Sequence, residues 1–302
     1  MSAGSRPNPY VVAVVGPTAA GKSDLALELA QTLGGEVVNA DSMQLYRGMD
    51  IGTAKLPLAE RQGVPHHLLD IWDVTVTATA AAYQQLCRAA IDDLLARGVT
   101  PVLVGGSGLY LRAALDDLQF PGTDPLLRAA LEAELADSGP VALHARLAAL
   151  DPEAATRMQP TNGRRVVRAL EVVTLTGAMP GRMTSYDVHY ATTYLGLDRV
   201  DLAERIGQRI DRMWADGLVE EVRRLERLGL REGMTASRAL GYGQVLALLD
   251  GSLDEPAARA QTAIATRRFA RRQRAWFRRD PRITWLEPGE GLLSRALGLV
   301  RA

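Results

Sequence analysis

From Tyr10 to Val15 the chain is apolar and largely β-branched without a break, the pattern of a parallel strand covered on both faces. A glycine-rich stretch separates it from Asp24–Leu33, where Leu25, Leu29 and Leu33 recur at helical spacing. The same alternation then repeats. Glu36–Asn39 and His66–Trp72 read as strands, and Thr79–Arg97 reads as a helix ended by Gly98. Pro101–Val104 reads as a strand running into the turn Gly105-Gly106-Ser107-Gly108 and a helix over Leu109–Asp116. Strands alternating with helices predict an α/β fold with a parallel sheet flanked by helices. From about Phe120 the texture changes. Pro121-Gly122-Thr123-Asp124-Pro125 reads as a linker, and Ala/Leu/Arg-rich helical patterns follow to about Gly177 with no strand among them. Thr193–Leu197 returns to the sheet, helices run from Asp201 to Asp250 and on to Arg279, and Ile283–Leu286 is a last short strand. The expected organisation is a core made of residues 1–118 and 190–302, with residues 119–189 as an inserted all-helical domain.

Composition narrows the class. The chain has 302 residues, 47% of them hydrophobic, and a formal net charge of zero. That charge is unevenly spread: residues 1–100 carry 7 basic and 10 acidic side chains, residues 201–302 carry 19 and 14. The C-terminal third therefore offers a basic face to a polyanion. A single cysteine, Cys87, excludes an internal disulfide framework and a thiolate metal cluster, which fits a reducing compartment. Met1 to Pro9 is a short polar lead without the apolar core of a secretory signal, and no apolar run is long enough to span a membrane. A cytoplasmic protein without membrane partners is expected, and a monomer.

The stretch after the first strand carries the chemistry. Gly16-Pro17-Thr18-Ala19-Ala20-Gly21-Lys22-Ser23 satisfies the P-loop pattern G-x-x-x-x-G-K-[ST], in the strand–turn–helix context that lets backbone N–H groups converge on an anion. Lys22 adds a flexible point charge for the terminal phosphate, and the hydroxyls of Thr18 and Ser23 are suited to Mg²⁺. Only two lysines exist, Lys22 and Lys55, in a chain whose other basic residues are all arginine. An arginine fork does not replace an ammonium packed among phosphate oxygens. The strand ending at Val104 runs into Gly105-Gly106, where a hydrolase would carry an acidic residue for Mg²⁺, and this counts against an ordinary nucleotide hydrolase.

Other residues leave two readings each. Asp41 follows the second strand and so lies at the sheet edge that binds ligands in open α/β folds, but it also suits a helix N-cap. Arg164 and Arg168 sit one helical turn apart, and Arg205, Arg209 and Arg212 share another helix face. Arg267, Arg271, Arg274 and Arg278 form a stripe, with Phe269, Trp276 and Phe277 placed to pack inward. Such a stripe suits a phosphate backbone or a solvated face equally. The adjacent His66 and His67 point to opposite faces of a strand, which argues against a metal pair.

Several segments together resemble the bacterial tRNA dimethylallyltransferases. They are the P-loop, Asn39 through Lys55, Pro65 through Asp70, Leu103 through Tyr110, Arg165 through Glu171, Gly217 through Val222, Gly241-Tyr242 and Arg271-Arg272-Gln273-Arg274. The resemblance runs in order over about residues 10–285, and the Asp41 stretch is its specific part. It implies a P-loop NTPase-like fold and transfer of a dimethylallyl group from dimethylallyl diphosphate to N6 of adenosine 37, just 3′ of the anticodon, with Mg²⁺ as cofactor. It also implies roles. Asp41 becomes the general base, with Ser107 and Arg209 catalytic beside it, and Gly16 through Ser23 hold the diphosphate. Asp41, Ser42, Met43 and Gln44 line the base pocket. Arg164, Arg165, Val166, Val167, Arg168, Gly241, Tyr242, Arg271 and Arg274 contact the anticodon stem-loop. Ser107 replaces the usual threonine of the family, and Gly243 stands where a charged residue is common. A P-loop small-molecule kinase and an isopentenyltransferase acting on free AMP are the competing readings; the helical insertion and the arginine stripe favour a macromolecular substrate over free AMP.

Overall fold

The computed structural model describes residues 10–180 and 186–300, so the polar lead Met1–Pro9 lies outside the described residues. In the larger of two units, β1 (Val11–Val15), α1 (Lys22–Leu33), β2 (Glu36–Asn39), β3 (His66–His67), α2 (Ala80–Ala96), β4 (Pro101–Gly105) and α3 (Gly108–Leu115) come first. The smaller unit holds α4 (Pro125–Leu150), α5 (Pro152–Thr156) and α6 (Gly163–Thr176). The larger unit resumes with β5 (Thr192–Leu197), α7 (Leu202–Ala215), α8 (Leu218–Glu226), α9 (Tyr242–Leu249), α10 (Glu255–Phe277), β6 (Ile283–Leu286) and α11 (Leu292–Val300). The division falls between Asp116 and Asp117 and between Asp187 and Val188.

The strands form one six-stranded sheet in the order β3-β2-β4-β1-β5-β6, with every pairing parallel. A parallel sheet needs cover on both faces, and β1 shows how the sequence provides it. Val12 and Val14 join the cluster of Leu25, Leu29, Ile206 and Val222, whereas Val11, Ala13 and Val15 join Tyr83, Ile91, Leu103 and Leu115 on the other side. Each fully buried valine contributes about 1.5–3 kcal/mol by leaving water. Because β1 lies between β4 and β5, the turns after these strands meet at one carboxyl edge, the place where open α/β sheets bind ligands.

The strand expected over His66–Trp72 is shorter than its composition suggests. Only His66 and His67 pair with β2, because Leu68 (φ 61°) and Asp70 (φ 56°) take left-handed conformations that cannot continue an extended chain. Among the described residues no group of His, Cys, Asp and Glu side chains is arranged to hold a metal, and no helix is long and apolar enough to cross a membrane.

The smaller unit has its own core, built from Leu131, Leu143, Leu147, Val166, Val167 and Leu170. Its long helix α4 breaks at Gly139, whose φ of 77° precedes Pro140, so two helices fold back within one stretch of sequence. The buried carboxylate of Glu171 ties the unit together: it accepts from Arg128, from Arg168 (2.7 Å) and from the Asp124 N–H (3.0 Å).

Where the chain leaves and re-enters the larger unit, Asp116 and Val188 form an antiparallel bridge. The Asp116 carboxylate is fully buried and accepts from Arg112 (2.6 Å) and Arg282 (2.7 Å).

Candidate active site

The phosphate loop takes its shape from residues that tolerate unusual backbone angles. Gly16 (φ 140°) lies against β5, and a Cβ there would stand 2.1 Å from the Leu197 carbonyl oxygen. Ala19 (φ 66°) and Gly21 (φ 93°) turn the chain before α1 begins at Lys22. The N-terminal N–H groups of α1 are thereby aimed at the sheet edge with the positive end of its dipole, as an anion site requires. Lys22 Nζ donates to the Pro17 carbonyl at 2.7 Å. Burial pushes its pKa from 10.5 down to about 8; the charge of Asp41 opposes this and that of Arg209 adds to it. Lys22, Asp41 and Arg209 are therefore electrostatic neighbours.

The turn after β2 presents Asp41. Gly105 permits this approach, because a Cβ there would lie 2.4 Å from the Ala40 carbonyl oxygen. No helix starts at Asp41, which removes the N-cap reading. Its Oδ1 accepts the Met43 N–H (2.9 Å), while its own N–H donates to Asn39 Oδ1 (2.9 Å). Asn39 also donates to the carbonyls of Asp41 and Leu68, so the turn is cross-braced by one buried amide. Ser42 Oγ and Ser107 Oγ stand 3.5 Å apart, which brings the turn after β4 against the turn after β2. Gln44 Nε2 donates to the Thr53 carbonyl (3.1 Å), and this determines which end of its amide is the acceptor.

Two helices wall the site. From α7, Arg209 donates to Thr18 Oγ1 (3.2 Å) and Arg205 to the Ala19 carbonyl (3.0 Å). Burial, then the charges of Arg205 and Arg212, lower the pKa of Arg209. Three guanidinium and ammonium groups, those of Lys22, Arg205 and Arg209, are thus gathered at one loop, an arrangement that stabilises an anion. From α10, Arg274 and Arg278 both donate to Asp198, just past β5 (2.7 and 3.2 Å). Burial pushes the Asp198 carboxyl up, but these bonds outweigh it and hold its pKa below the usual carboxylate value.

The segment after Gln44 is clamped from below. Glu221 is buried, and its carboxylate accepts the N–H groups of Asp50 (3.1 Å), Ile51 (2.8 Å) and Gly52 (3.2 Å) and the Tyr242 hydroxyl. Lys55, the second lysine, is buried too and donates to Asp50 (2.7 Å), Asp70 (2.6 Å) and the Tyr46 carbonyl (2.9 Å).

Several residues expected to touch RNA are placed elsewhere. Val166 and Val167 are in the core of the smaller unit, 0% and 4% exposed, because five consecutive helical residues cannot all face outward. Arg168 is spent within its unit on Glu171 and the Pro121 and Gly122 carbonyls, whereas Arg164 and Arg165 are exposed. Tyr242 is fully buried at Glu221, with Gly241 capping α9 beside it, so Tyr242 supports the loop and presents no surface to a ligand. Arg274 is engaged by Asp198, while Arg267, Arg268, Arg271 and Arg272 are exposed. Of the aromatics assigned to the underside of α10, Phe277 is buried, but Trp276 is 37% exposed and its indole lies on Gly108. Sequence reasoning gave no site role to Asp198, Glu221 and Gln273, which act through partners far away in the chain, or to Asn39, which braces the turn at Asp41.

The donors here fit Mg²⁺ in part. Ser23 is exposed beside the loop and offers an oxygen of the kind a hydrated Mg²⁺ uses together with a phosphate. The Thr18 hydroxyl accepts from the Arg209 guanidinium, a poor neighbour for a cation.

The profile of the IPP transferase family matches residues 44–280. The chain is 66% identical to the tRNA dimethylallyltransferase of Streptomyces coelicolor, over 94% of this chain and 92% of that one. It is 64% identical to that of Salinispora tropica, over 96% and 92%. Among solved structures it is similar to the tRNA isopentenylpyrophosphate transferase of Bacillus halodurans (38% identity, TM-score 0.68, covering 97% of this chain and 99% of that one). It also matches a eukaryotic dimethylallyltransferase acting on tRNA (28% identity, TM-score 0.79, covering 92% and 74%).

Proposed function

The chain belongs to the IPP transferase family and has the activity of a tRNA dimethylallyltransferase, and from that premise we propose how its residues divide the work. Dimethylallyl diphosphate is the donor. The amides of the phosphate loop, Lys22, Arg209 and Arg205 receive its diphosphate, and Asp41 faces the amine of the accepting adenine. The observation that carries this reading is the convergence of three turns at one sheet edge: Arg209 and Arg205 reach the phosphate loop at 3.2 and 3.0 Å, and the Asp41 turn meets the turn after β4 where Ser42 and Ser107 stand 3.5 Å apart.

The chemistry needs that convergence. A new C–N bond forms between adenine N6 and the allylic carbon while the C–O bond to diphosphate breaks, so negative charge grows on the leaving group. Preorganised cations and amides meet it without reorganising. The amine is a weak nucleophile because its lone pair is delocalised into the ring, and it must lose a proton as the bond forms. The Asp41 carboxylate accepts that proton; the Met43 N–H on Oδ1 keeps the group oriented while Oδ2 takes part in none of the described side-chain bonds. Gln44, with Nε2 held by Thr53, offers its amide to the edge of the adenine. The base leaves its stack in the anticodon loop to reach this site. Exposed Arg267, Arg268, Arg271 and Arg272 on α10, with Arg164 and Arg165 on α6, supply phosphate contacts. Mg²⁺, carried on the diphosphate and met by Ser23, would neutralise part of its charge.

The test is mass spectrometry of nucleosides from tRNA incubated with the protein, Mg²⁺ and dimethylallyl diphosphate. A prenylated adenosine that depends on all three, and is lost with Lys22→Ala, is the expected result. Rapid ATP hydrolysis or phosphoryl transfer without tRNA would overturn the assignment of the loop.

A further inference from the structure

Thr18, at the corner of the phosphate loop, is held from two sides. Arg209 takes its hydroxyl, and its N–H donates to Gln273 Oε1 at 2.9 Å. Gln273 comes from α10, 255 residues further along the chain, and is only 6% exposed. The other end of the same amide, Nε2, donates to the Gly106 carbonyl at 2.9 Å. One side chain thus bridges the turn after β1 and the turn after β4. Its orientation is unambiguous, because a flipped amide would set donor against donor and acceptor against acceptor. Gly106 leaves no slack: a Cβ there would sit 2.2 Å from Gln273 Nε2.

We propose that Gln273 is a positioning residue for the phosphate loop, fixing the Thr18 corner and with it the direction in which the loop amides and Arg209 meet a diphosphate. The Thr18 N–H belongs to Gln273 and not to the anion, so Gln273 acts on the leaving group only through the loop. This inference rests on reading the loop as a diphosphate site. Removing the amide leaves the Thr18 N–H and the Gly106 carbonyl without their partner in a half-buried setting, where they are restored only if the loop shifts.

Two substitutions reach the clasp from opposite sides. Gln273→Met keeps length and removes both hydrogen bonds. Gly106→Ala leaves Gln273 in place but puts a methyl group where its Nε2 lies, and the flexible side chain must swing away. Calorimetry with inorganic diphosphate and Mg²⁺ should show each variant binding about three- to tenfold more weakly than the unaltered protein, the worth of one such bond. KM for dimethylallyl diphosphate should rise by the same factor, with KM for tRNA changed less than about twofold. If both variants bound diphosphate as tightly as the unaltered protein and lost only thermal stability, Gln273 would be a mere tie between α10 and the sheet. A rise confined to the KM for tRNA would also overturn the proposal. Should Gln273→Met fail to fold, Gly106→Ala decides alone. Failure of the underlying reading looks different: the unaltered protein would ignore diphosphate, or Lys22→Ala would bind it equally well.

Discussion

The Tyr242 hydroxyl donates to the Glu221 carboxylate at 2.6 Å, and the same carboxylate gathers three consecutive backbone N–H groups, those of Asp50, Ile51 and Gly52. Burial, reinforced by the adjacent charge of Glu221, pushes the Tyr242 pKa well above the ordinary phenol value, so the residue remains a donor at any working pH. Tyr242→Phe should therefore remove one charge-assisted bond, costing about 1.5–3 kcal/mol of stability. It should lower kcat through the loop that carries Gln44's anchor, Thr53. Because Tyr242 is fully buried, tRNA affinity should stay within about twofold of the original. Chemical denaturation and a filter-binding titration check the two halves of this expectation.

Asp41→Asn preserves the size of the side chain and its bond to the Met43 N–H, but removes its basicity. A fall in kcat of about 10²–10⁴-fold is expected, with tRNA Kd and Tm near their original values. Single-turnover kinetics with saturating substrates measure it directly. Near-normal turnover would leave Asp41 a brace of its turn and nothing more.

The lowered pKa of Lys22, about 8, has a sign that experiment can read. Below about pH 8 the ammonium is charged in both folded and unfolded chains. Between about pH 8 and 10.5 the unfolded chain binds more protons, so folded stability rises with pH across that window. Diphosphate affinity runs the other way, since an anion prefers the ammonium, and should weaken above about pH 8. Calorimetric titrations across this range should show the break, and Lys22→Arg should abolish it.

Arg271 and Arg274 are one helical turn apart on α10 and should behave differently. Arg271 is exposed, so Arg271→Ala should weaken tRNA binding and reduce its salt slope by about one unit. Arg274 is bonded to Asp198 and to the Arg199 carbonyl. Arg274→Ala should leave the salt slope unchanged and cost about 1 kcal/mol of stability, discounted for the partial exposure of the pair. Equal salt slopes for both variants would show that the ion pair does not withdraw Arg274 from the nucleic acid.

What could be read without the structure was local. The phosphate loop is one contiguous motif, and the strand before Asp41 places that residue at the sheet edge by topology alone. The contacts that brace the site were not local. Gln273 meets Thr18 across 255 residues, and Glu221 meets Asp50 across 171, separations at which no periodicity carries information. The early end of β3 was hidden for another reason: Leu68 and Asp70 adopt left-handed angles without a glycine to announce them. Val166 and Val167 show the converse error, in which the family resemblance assigned a whole run of residues to tRNA together. The helical repeat turns them to the inside, where Leu131 and Leu143 meet them.

The antiparallel bridge between Asp116 and Val188 has a consequence for how such a chain acquires and folds its smaller unit. Two chain ends held one ladder rung apart present the larger unit with the boundary condition of a tight hairpin, whatever lies between them. An unstructured detour of about 70 residues would cost about 3 kcal/mol more closure entropy than a two-residue turn, since that cost grows with the logarithm of length. A detour that folds upon itself removes even this difference. The sheet therefore depends little on the length of what is spliced in at the Asp116–Arg112–Arg282 anchor, provided that the insert folds upon itself. Grafting a different folded module at that rung, or closing it with a two-residue turn, should leave the sheet able to assemble.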